Sequence, residues 1–600
     1  MSTTPPNEPD AATVEVVRNY LTSAATEMQR TLIRTAYNTI IYEILDFGIS
    51  LYDRDRNLIA DSPGLALFLG ANDFALEKLI EHVGEENMEP GDVLIMNYPY
   101  WSSTHTLDVG VFAPIFREGA DADADDNELI GYAATRAHWL DLGAKDAGYV
   151  LDSTDVHQEG VIFPGTKVYK AGEPDEEVLD LIRFNSRIPD KVIGDLNAQI
   201  AAIRTGKRRL RELYDKYGSS TVDECIDRIH DHGERTARDA VRDLPDGTWS
   251  AVDYADGSTG ELIRIEVEVT IDGEEFSVDF SGSSDQVEGP LNIPLGMTET
   301  VCKLCFKSIT TPTEVSNAGQ YAPLSVHAPE GNLFNASYPA PTFTIWTGIV
   351  SIDVVYKALA KALPETIPAS SGGDLNDIML YGEDPETGRQ FVEANNDAVG
   401  WGATNDHDGA NAVMHISETM VQNIPVEVFE NKAPISFDEL SLRTDSGGAG
   451  EYRGGLGLRR DFRIDHPVGA LSIIQKTKKP GWGIDGGKPG AKNGIVLDLD
   501  EDADERVQIL VDNTDLYDDG NTWAGFFRGN FVPGEVISNR TGGGGGYGEP
   551  FDREPEAVLE DVRDGYVSRG AAEDEYGVVI TDELEIDADA TRARRSDSTN

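Results

Sequence analysis

An α+β fold split into several domains, with a helix-rich N-terminal α/β part and a β-rich, glycine-turn-rich C-terminal half, is predicted by three features of this 600-residue sequence. As far as Leu244, long stretches with apolar residues at helical spacing are separated by short alternating runs. From residue 261 to 279 the alternation is strict and reverses at Asp272-Gly273, the signal of a tight hairpin. Beyond Leu363, short strand-like runs are divided by glycine clusters at 445–450, 453–457 and 481–490, which read as turns. The length suffices for several hydrophobic cores. The expected divisions are an α/β domain over 1–244 that carries the site, a mixed α+β domain over 245–365, a β-rich domain over 366–550, and a helix with a polar tail over 551–600.

In chain order, residues 11–44 carry Val17, Leu21, Met28, Leu32 and Ile33 along one side and predict a long amphipathic helix. Phe47, Ile49 and Leu51 then alternate with Gly48, Ser50 and Tyr52, a strand pattern closed by a turn at 53–57. Asp46 stands at the junction, where a carboxylate is a turn residue or a ligand. A helix at 71–83 and a strand at 93–96 follow. The acidic, alanine-rich 118–127 stretch reads as a solvated hairpin tip. Further helices are predicted at 174–185, 191–217, 221–243, 298–309 and 347–363. Asp353, Lys357 and Lys361 interrupt the last of these, which makes it a core helix and not a membrane span. The end reads as a helix from 556, a strand at 578–580 and a frayed polar tail.

The formal charge is −57, from 107 acidic against 50 basic residues dispersed along the chain. Such dispersal suits solvation at high salt, where self-repulsion is screened, and points to a halophilic cytoplasm. It excludes nucleic acid as a partner, because a phosphate backbone would be repelled. Three cysteines are too few for a disulfide framework. Cys302-Lys-Leu-Cys305 has no second pair or nearby histidine and reads as structural thiols. The polar first nine residues lack the apolar core of a secretory signal. Gly481-Trp-Gly483-Ile-Asp-Gly486 spells a dinucleotide fingerprint, but no helix follows it. The glycine run at 542–548 reads as tight turns or close backbone packing.

Chemistry concentrates between Gly91 and Gly165, which hold two His-x-x-Asp pairs, His105 with Asp108 and His138 with Asp141. Pro99, Ser102, Ser103 and Thr104 predict a turn before a strand. Residues i and i+3 of an ideal strand face opposite ways, so His105 and Asp108 meet at one ion only at the strand's entrance. Residues 130–137 read as a strand, and His138 lies where it gives way to the 143–148 loop. With Asp46, the pairs make a mixed nitrogen and oxygen set suited to Zn, Mn or Fe rather than Ca or Mg. The bland counterpart is a pair of satisfied core histidines. His157, Gln158 and Glu159 form a nearby polar cluster that serves either as substrate contacts or as loop caps.

Leu45-Asp46-Phe47, Asn97-Tyr-Pro-Tyr100, Thr104-His105 through Asp108, Arg136-Ala-His138, Gln158-Glu-Gly160, Asp195-Leu-Asn-Ala-Gln-Ile200, Asp279-Phe-Ser-Gly282 and the glycine runs at 446–457 and 542–548 together resemble the hydantoinase B/oxoprolinase family. The resemblance covers nearly the whole chain. It implies a divalent transition metal on Asp46, His105 and His138, with Asp108 a further ligand or the base for water. It implies a hetero-oligomer with an A-type ATP-hydrolysing subunit, so that ATP acts through the partner alone. The partner would phosphorylate the amide oxygen of a cyclic substrate, and water deprotonated by Asp108 or Asp141 would open the ring. Two departures stand out. The family's commoner Asn-Asp-Pro-Tyr is Asn97-Tyr98-Pro99-Tyr100 here, and its frequent His-His is His138-Trp139. Both resemble the caprolactamase-type branch and favour a lactam, with Asn97, Tyr100, Trp139, Gln158 and Glu159 as expected substrate contacts. The same resemblance reaches acetone and acetophenone carboxylases, so a ketone carboxylase subunit is the alternative. A non-catalytic scaffold for the ATP-hydrolysing partner is the second.

Overall fold

The computed structural model describes residues 9–597 apart from 63, 69, 118–127 and 419; the acidic stretch at 118–127 therefore lies outside the described residues. Helix α1 (Ala11–Thr35) buries Val17, Leu21, Met28 and Leu32 on one stripe, and Asp10 caps it by accepting from the Thr13 N–H. The helix expected to reach residue 44 ends at Thr35. Tyr37 and Asn38 donate their backbone N–H groups to the Asp195 carboxylate at 2.7 and 3.2 Å, and a short wide turn follows at Ile40–Ile44. A distant carboxylate thus overrides local helical pattern, which no local reading could see.

The first sheet contains β1 (Phe47–Tyr52), β2 (Leu58–Asp61), β3 (Val93–Met96), β4 (Asp108–Arg117), β5 (Glu128–His138), β6 (Pro164–Lys170) and β7 (Glu173–Pro174). They pair antiparallel in the order β2-β1-β5-β4-β3-β6-β7. Both faces are buried, so the strands are nearly continuous in apolar residues. On one face Leu94, Met96, Phe112 and Tyr132 pack with Leu76, Leu79 and Ile80 of α2 (Ala71–Val83). On the other, Val109, Val111 and Ala133 join the core that holds α5, after the single turn α3 (Pro99–Ser102) and α4 (Glu176–Phe184). Helix α5 (Pro189–Tyr217) lies along α1, where a Cβ on Gly206 would sit 2.4 Å from the Met28 sulfur. Each buried Leu or Ile on α5, such as Leu196 and Ile200, contributes about 2 kcal/mol. Helix α6 (Ser219–Arg242) completes this part.

The second sheet has the order β11-β10-β9-β8, with β8 (Gly247–Asp256), β9 (Leu262–Asp272), β10 (Glu275–Asp279) and β11 (Leu324–His327). The β9–β10 hairpin turns at Gly273, which has a positive φ of 61°. Helices α7 (Leu295–Thr310) and α8 (Trp346–Leu359) pack beside it. The Cys302 and Cys305 thiols are buried on α7, and burial pushes both upward, as befits inert structural groups. A third sheet of nine strands begins with β12 (Asp377–Glu383). One apolar core runs without a break from Val14 to Ile537 through all three sheets.

The C-terminal glycine runs at 446–457 and 481–490 differ from the expected turns, while the run at 542–548 packs at backbone distance. Rather than simple turns, the runs near 400–403, 446–457, 481–490 and 541–548 lie side by side outside the regular strands. They are joined by backbone hydrogen bonds such as Gly448 N to Gly544 O at 2.8 Å and Ala403 N to Gly545 O at 2.9 Å. A Cβ on Gly544 would lie 1.9 Å from the Trp401 carbonyl oxygen, so the spacing requires glycine. At the end of the chain, the expected strand is a single bridge between Ile580 and Ile586, and the expected frayed tail is helical at Ala588–Asp597.

Candidate metal centre

Register builds the site. Asp108, the first residue of β4, pairs with His138, the last residue of β5. Phe47 of β1 pairs with Ala137, which brings Asp46 to His138, and the His138 N–H donates to the Asp46 carbonyl at 3.3 Å. Three neighbouring strands therefore deliver one side chain each to the same sheet end. His105 arrives from the turn before β4. Ligand atoms of His105, Asp108 and His138 all lie within 4.8 Å of one another, and all three residues are buried.

The side chains hold one another in place. His138 Nδ1 is 3.1 Å from Asp108 Oδ1 and 3.9 Å from Asp46 Oδ2, and His105 Nε2 is 3.5 Å from Asp108 Oδ2. Yet His105 Nδ1, His138 Nε2, Asp108 Oδ2 and Asp46 Oδ1 are buried without a hydrogen-bond partner among the described residues. Buried polar atoms of native proteins are ordinarily satisfied, so partnerless atoms on all four residues, three of which bring ligand atoms within 4.8 Å of one another, leave a donor set that a cation would complete. The residues fit a transition metal. Burial holds His105 down at about 4, the neutral form a metal ligand needs. For Asp108, burial acts upward but His105 and His138 outweigh it and hold the carboxyl below its usual range. Burial pushes Asp46 up to about 7, with His138 opposing.

Residues around the site explain the other motifs. Arg136, fully buried, donates to Ser102 Oγ, Thr104 Oγ1 and the Asp108 carbonyl at 2.7, 2.8 and 3.0 Å, tying α3 to the entrance of β4. Asn38 donates to the His138 carbonyl at 3.0 Å. Gln199 of α5 accepts from Trp139 Nε1 at 2.8 Å and donates to the Val109 carbonyl at 2.9 Å. Phe343 stacks on His105 with ring centroids 5.2 Å apart.

Several expected contacts are structural instead. Trp139 is wholly buried, its indole N–H committed to Gln199, so it is no substrate contact. The Asn97 amide is used up by Thr106 O, Val161 O and the Phe163 N–H. Glu159 is buried, accepts from Ser153 Oγ and the N–H groups of Thr342 and Phe343, and thereby seats Phe343 over His105; burial pushes its carboxyl up to about 8. Gln158 is exposed and folds back on Thr154. The Tyr100 hydroxyl donates to the Ala340 carbonyl. Asp141, the other expected base, is occupied by neighbouring groups. Its carboxylate is taken by Arg187, through the guanidinium at 2.6 Å and the backbone N–H, and by Gly143 N. Asp141→Asn is expected to leave metal content unchanged and cost roughly 1–2 kcal/mol in denaturant unfolding, since Arg187 is partly exposed.

The sequence reading missed Asp377. It opens β12 in the third sheet, is fully buried, and both its carboxylate oxygens lack a hydrogen-bond partner among the described residues. Burial pushes it up to about 7; Tyr149 and His138 are its nearest opposing influences. Tyr149 in turn meets the His138 ring at 5.9 Å and Trp346 at 5.2 Å. No motif near residue 377 signals this, because the contact joins positions more than two hundred residues apart.

The fold and site define an α+β protein whose first sheet ends in a cluster of two histidines and two carboxylates, with Asp377 of the third sheet close enough to interact with His138. The hydantoinase B/oxoprolinase family profile matches residues 10–550, and the chain belongs to that family. It is 32% identical over 602 residues to the caprolactamase subunit beta of Pseudomonas jessenii, covering 98% of this chain and all of that one. The crystal structure of the ATP-dependent caprolactamase from Pseudomonas jessenii superposes with a TM-score of 0.88 at 29% identity, covering 98% of this chain and 100% of the other. An acetone carboxylase in its nucleotide-free structure shares the fold, with a TM-score of 0.86 at 20% identity over 98% of this chain and 83% of that one. Among the described residues, no helix is long and apolar enough to cross a membrane.

Proposed function

We propose that this chain is the metal-dependent subunit of an ATP-dependent cyclic amide hydrolase, acting on a lactam, hydantoin or 5-oxoproline type ring activated by an A-type ATP-hydrolysing partner. The observation that carries the reading is the convergence of buried ligand atoms of His105, Asp108 and His138, with Asp46 beside His138, in a chain of this family. Those four residues would hold a Zn, Mn or Fe ion, which when bound supplies Lewis acidity and lowers the pKa of water toward neutrality. Asp108, kept ionised by the two histidines, accepts the proton of the attacking water. His138 is oriented by its Nδ1 contact to Asp108 and by the Asn38 bond to its carbonyl. Phe343, Tyr149 and Trp346 wall the site with apolar surface and exclude bulk water.

The test is ring opening in high salt by the chain reconstituted with its ATP-hydrolysing partner. Product that requires both subunits, ATP and metal is the expected result. Carbon dioxide incorporation without ring opening would favour the carboxylase. Asp108→Asn is expected to lower turnover by roughly a hundredfold or more. An Asp108→Asn protein that kept its metal and full turnover would remove Asp108 from the base role.

A further inference from the structure

The geometry points to Asp377 as the acceptor for the ring N–H of the cyclic amide, a specificity group contributed to the site by the C-terminal half of the chain. This rests on the cyclic amide reading above. A buried carboxylate with two partnerless oxygens is costly unless something completes it. Asp374, also buried, accepts well-formed bonds from the backbone N–H groups of Leu375 and Gln475, whereas at Asp377 the Tyr149 hydroxyl and the Ile378 N–H lie close enough to favour the carboxylate but neither makes a well-formed bond to it. It lies beside Tyr149, whose ring contacts His138, so a ligand that reaches the cluster also reaches Asp377.

The placement is rigid. Asn376, just before it, adopts a left-handed φ of 39° and is clamped by reciprocal bonds with Asn539, which also donates to Asp397, itself paired with Arg460. Upstream, Gly372 donates to the Gly400 carbonyl and Ser370 accepts from Gly545, so the loop is fastened to the glycine bundle. Strain and buried anchoring of this kind hold a group in position for a ligand.

The chemistry selects the ligand class. Among neutral rings with a reactive carbonyl, a lactam or hydantoin carries an N–H donor beside it, and a ketone carries none. A carboxylate oxygen facing that N–H rejects analogues lacking the donor, because its own desolvation is then left uncompensated. Asp377 would therefore act in recognition and not as a ligand of the metal.

Calorimetric binding to the metal-loaded chain tests this, with a seven-membered lactam and its N-methyl analogue as probes. Wild type is expected to prefer the N–H lactam by roughly tenfold or more. In Asp377→Leu the preference should collapse to about twofold or less, and Asp377→Asn, which keeps an acceptor oxygen, should restore part of it. Metal content should stay at the wild-type level in both variants. Equal binding of the two lactams by wild type, or an unchanged preference in Asp377→Leu, overturns the inference and leaves the cyclic amide reading standing. Loss of metal in Asp377→Asn also overturns it, making Asp377 a ligand. Failure of the N–H lactam to bind wild type overturns this inference, while ring opening by the reconstituted complex tests the cyclic amide reading separately.

Discussion

The His105→Ala/His138→Ala double variant is expected to carry less than about a tenth of the metal bound by wild type, and to lose turnover with the partner by roughly a thousandfold or more. Two of the four expected ligands disappear, and the carboxylates Asp46 and Asp108 lose the imidazoles that each of them contacts. Two carboxylates alone suit a hard cation and bind transition metals poorly. Elemental analysis of protein purified in high salt reads the first effect. Chelated wild type should show the same loss of turnover and recover when metal is returned, whereas the double variant should not. A folded double variant that retained about one equivalent of metal would sink the assignment of the site.

Gly544→Ala is expected to be among the most destabilising single methyls that can be added to the C-terminal half, at roughly 4 kcal/mol or more. Its Cβ would lie 1.9 Å from the Trp401 carbonyl oxygen and 2.6 Å from Gly402 N. Those are backbone atoms held by neighbouring runs, so no side-chain rotation relieves the overlap. Gly534→Ala is the control. Gly534 has a φ of 99°, but a Cβ there meets nothing within 4 Å, so the cost is conformational and about 1 kcal/mol. Guanidinium unfolding in high salt compares the two. Equal midpoints would mean that the bundle tolerates separation. Because Ser370 and Gly372 are tied to the same bundle, Gly544→Ala should also disturb the loop leading to Asp377.

The helices and strands of the N-terminal half were legible because their apolar residues obey a single period. The 71–83 helix and the strand at Phe47–Tyr52 are found with the expected bounds. His105, Asp108 and His138 were legible as a set because each stands at a turn or strand end, and strand pairing then brings such ends together. The expected substrate contacts fared differently. Asn97, Trp139 and Glu159 are polar groups in a site-forming stretch, yet each is spent on backbone or on Gln199. Local sequence shows that a residue can hydrogen-bond; it does not show which partner the fold supplies.

Periodicity, turn chemistry and residue type were enough to establish the element order of the first half, the buried character of the cysteines and the candidate ligands of the first sheet. Three features required the folded chain. Helix α1 stops at Thr35 because Asp195 captures the N–H groups of Tyr37 and Asn38; the glycine runs become a packed bundle because four distant segments approach at backbone distance; and Asp377 joins the site from the third sheet. In each case the deciding interaction links residues far apart in the chain, and its energy comes from satisfying or excluding polar backbone and carboxylate groups once water has been removed.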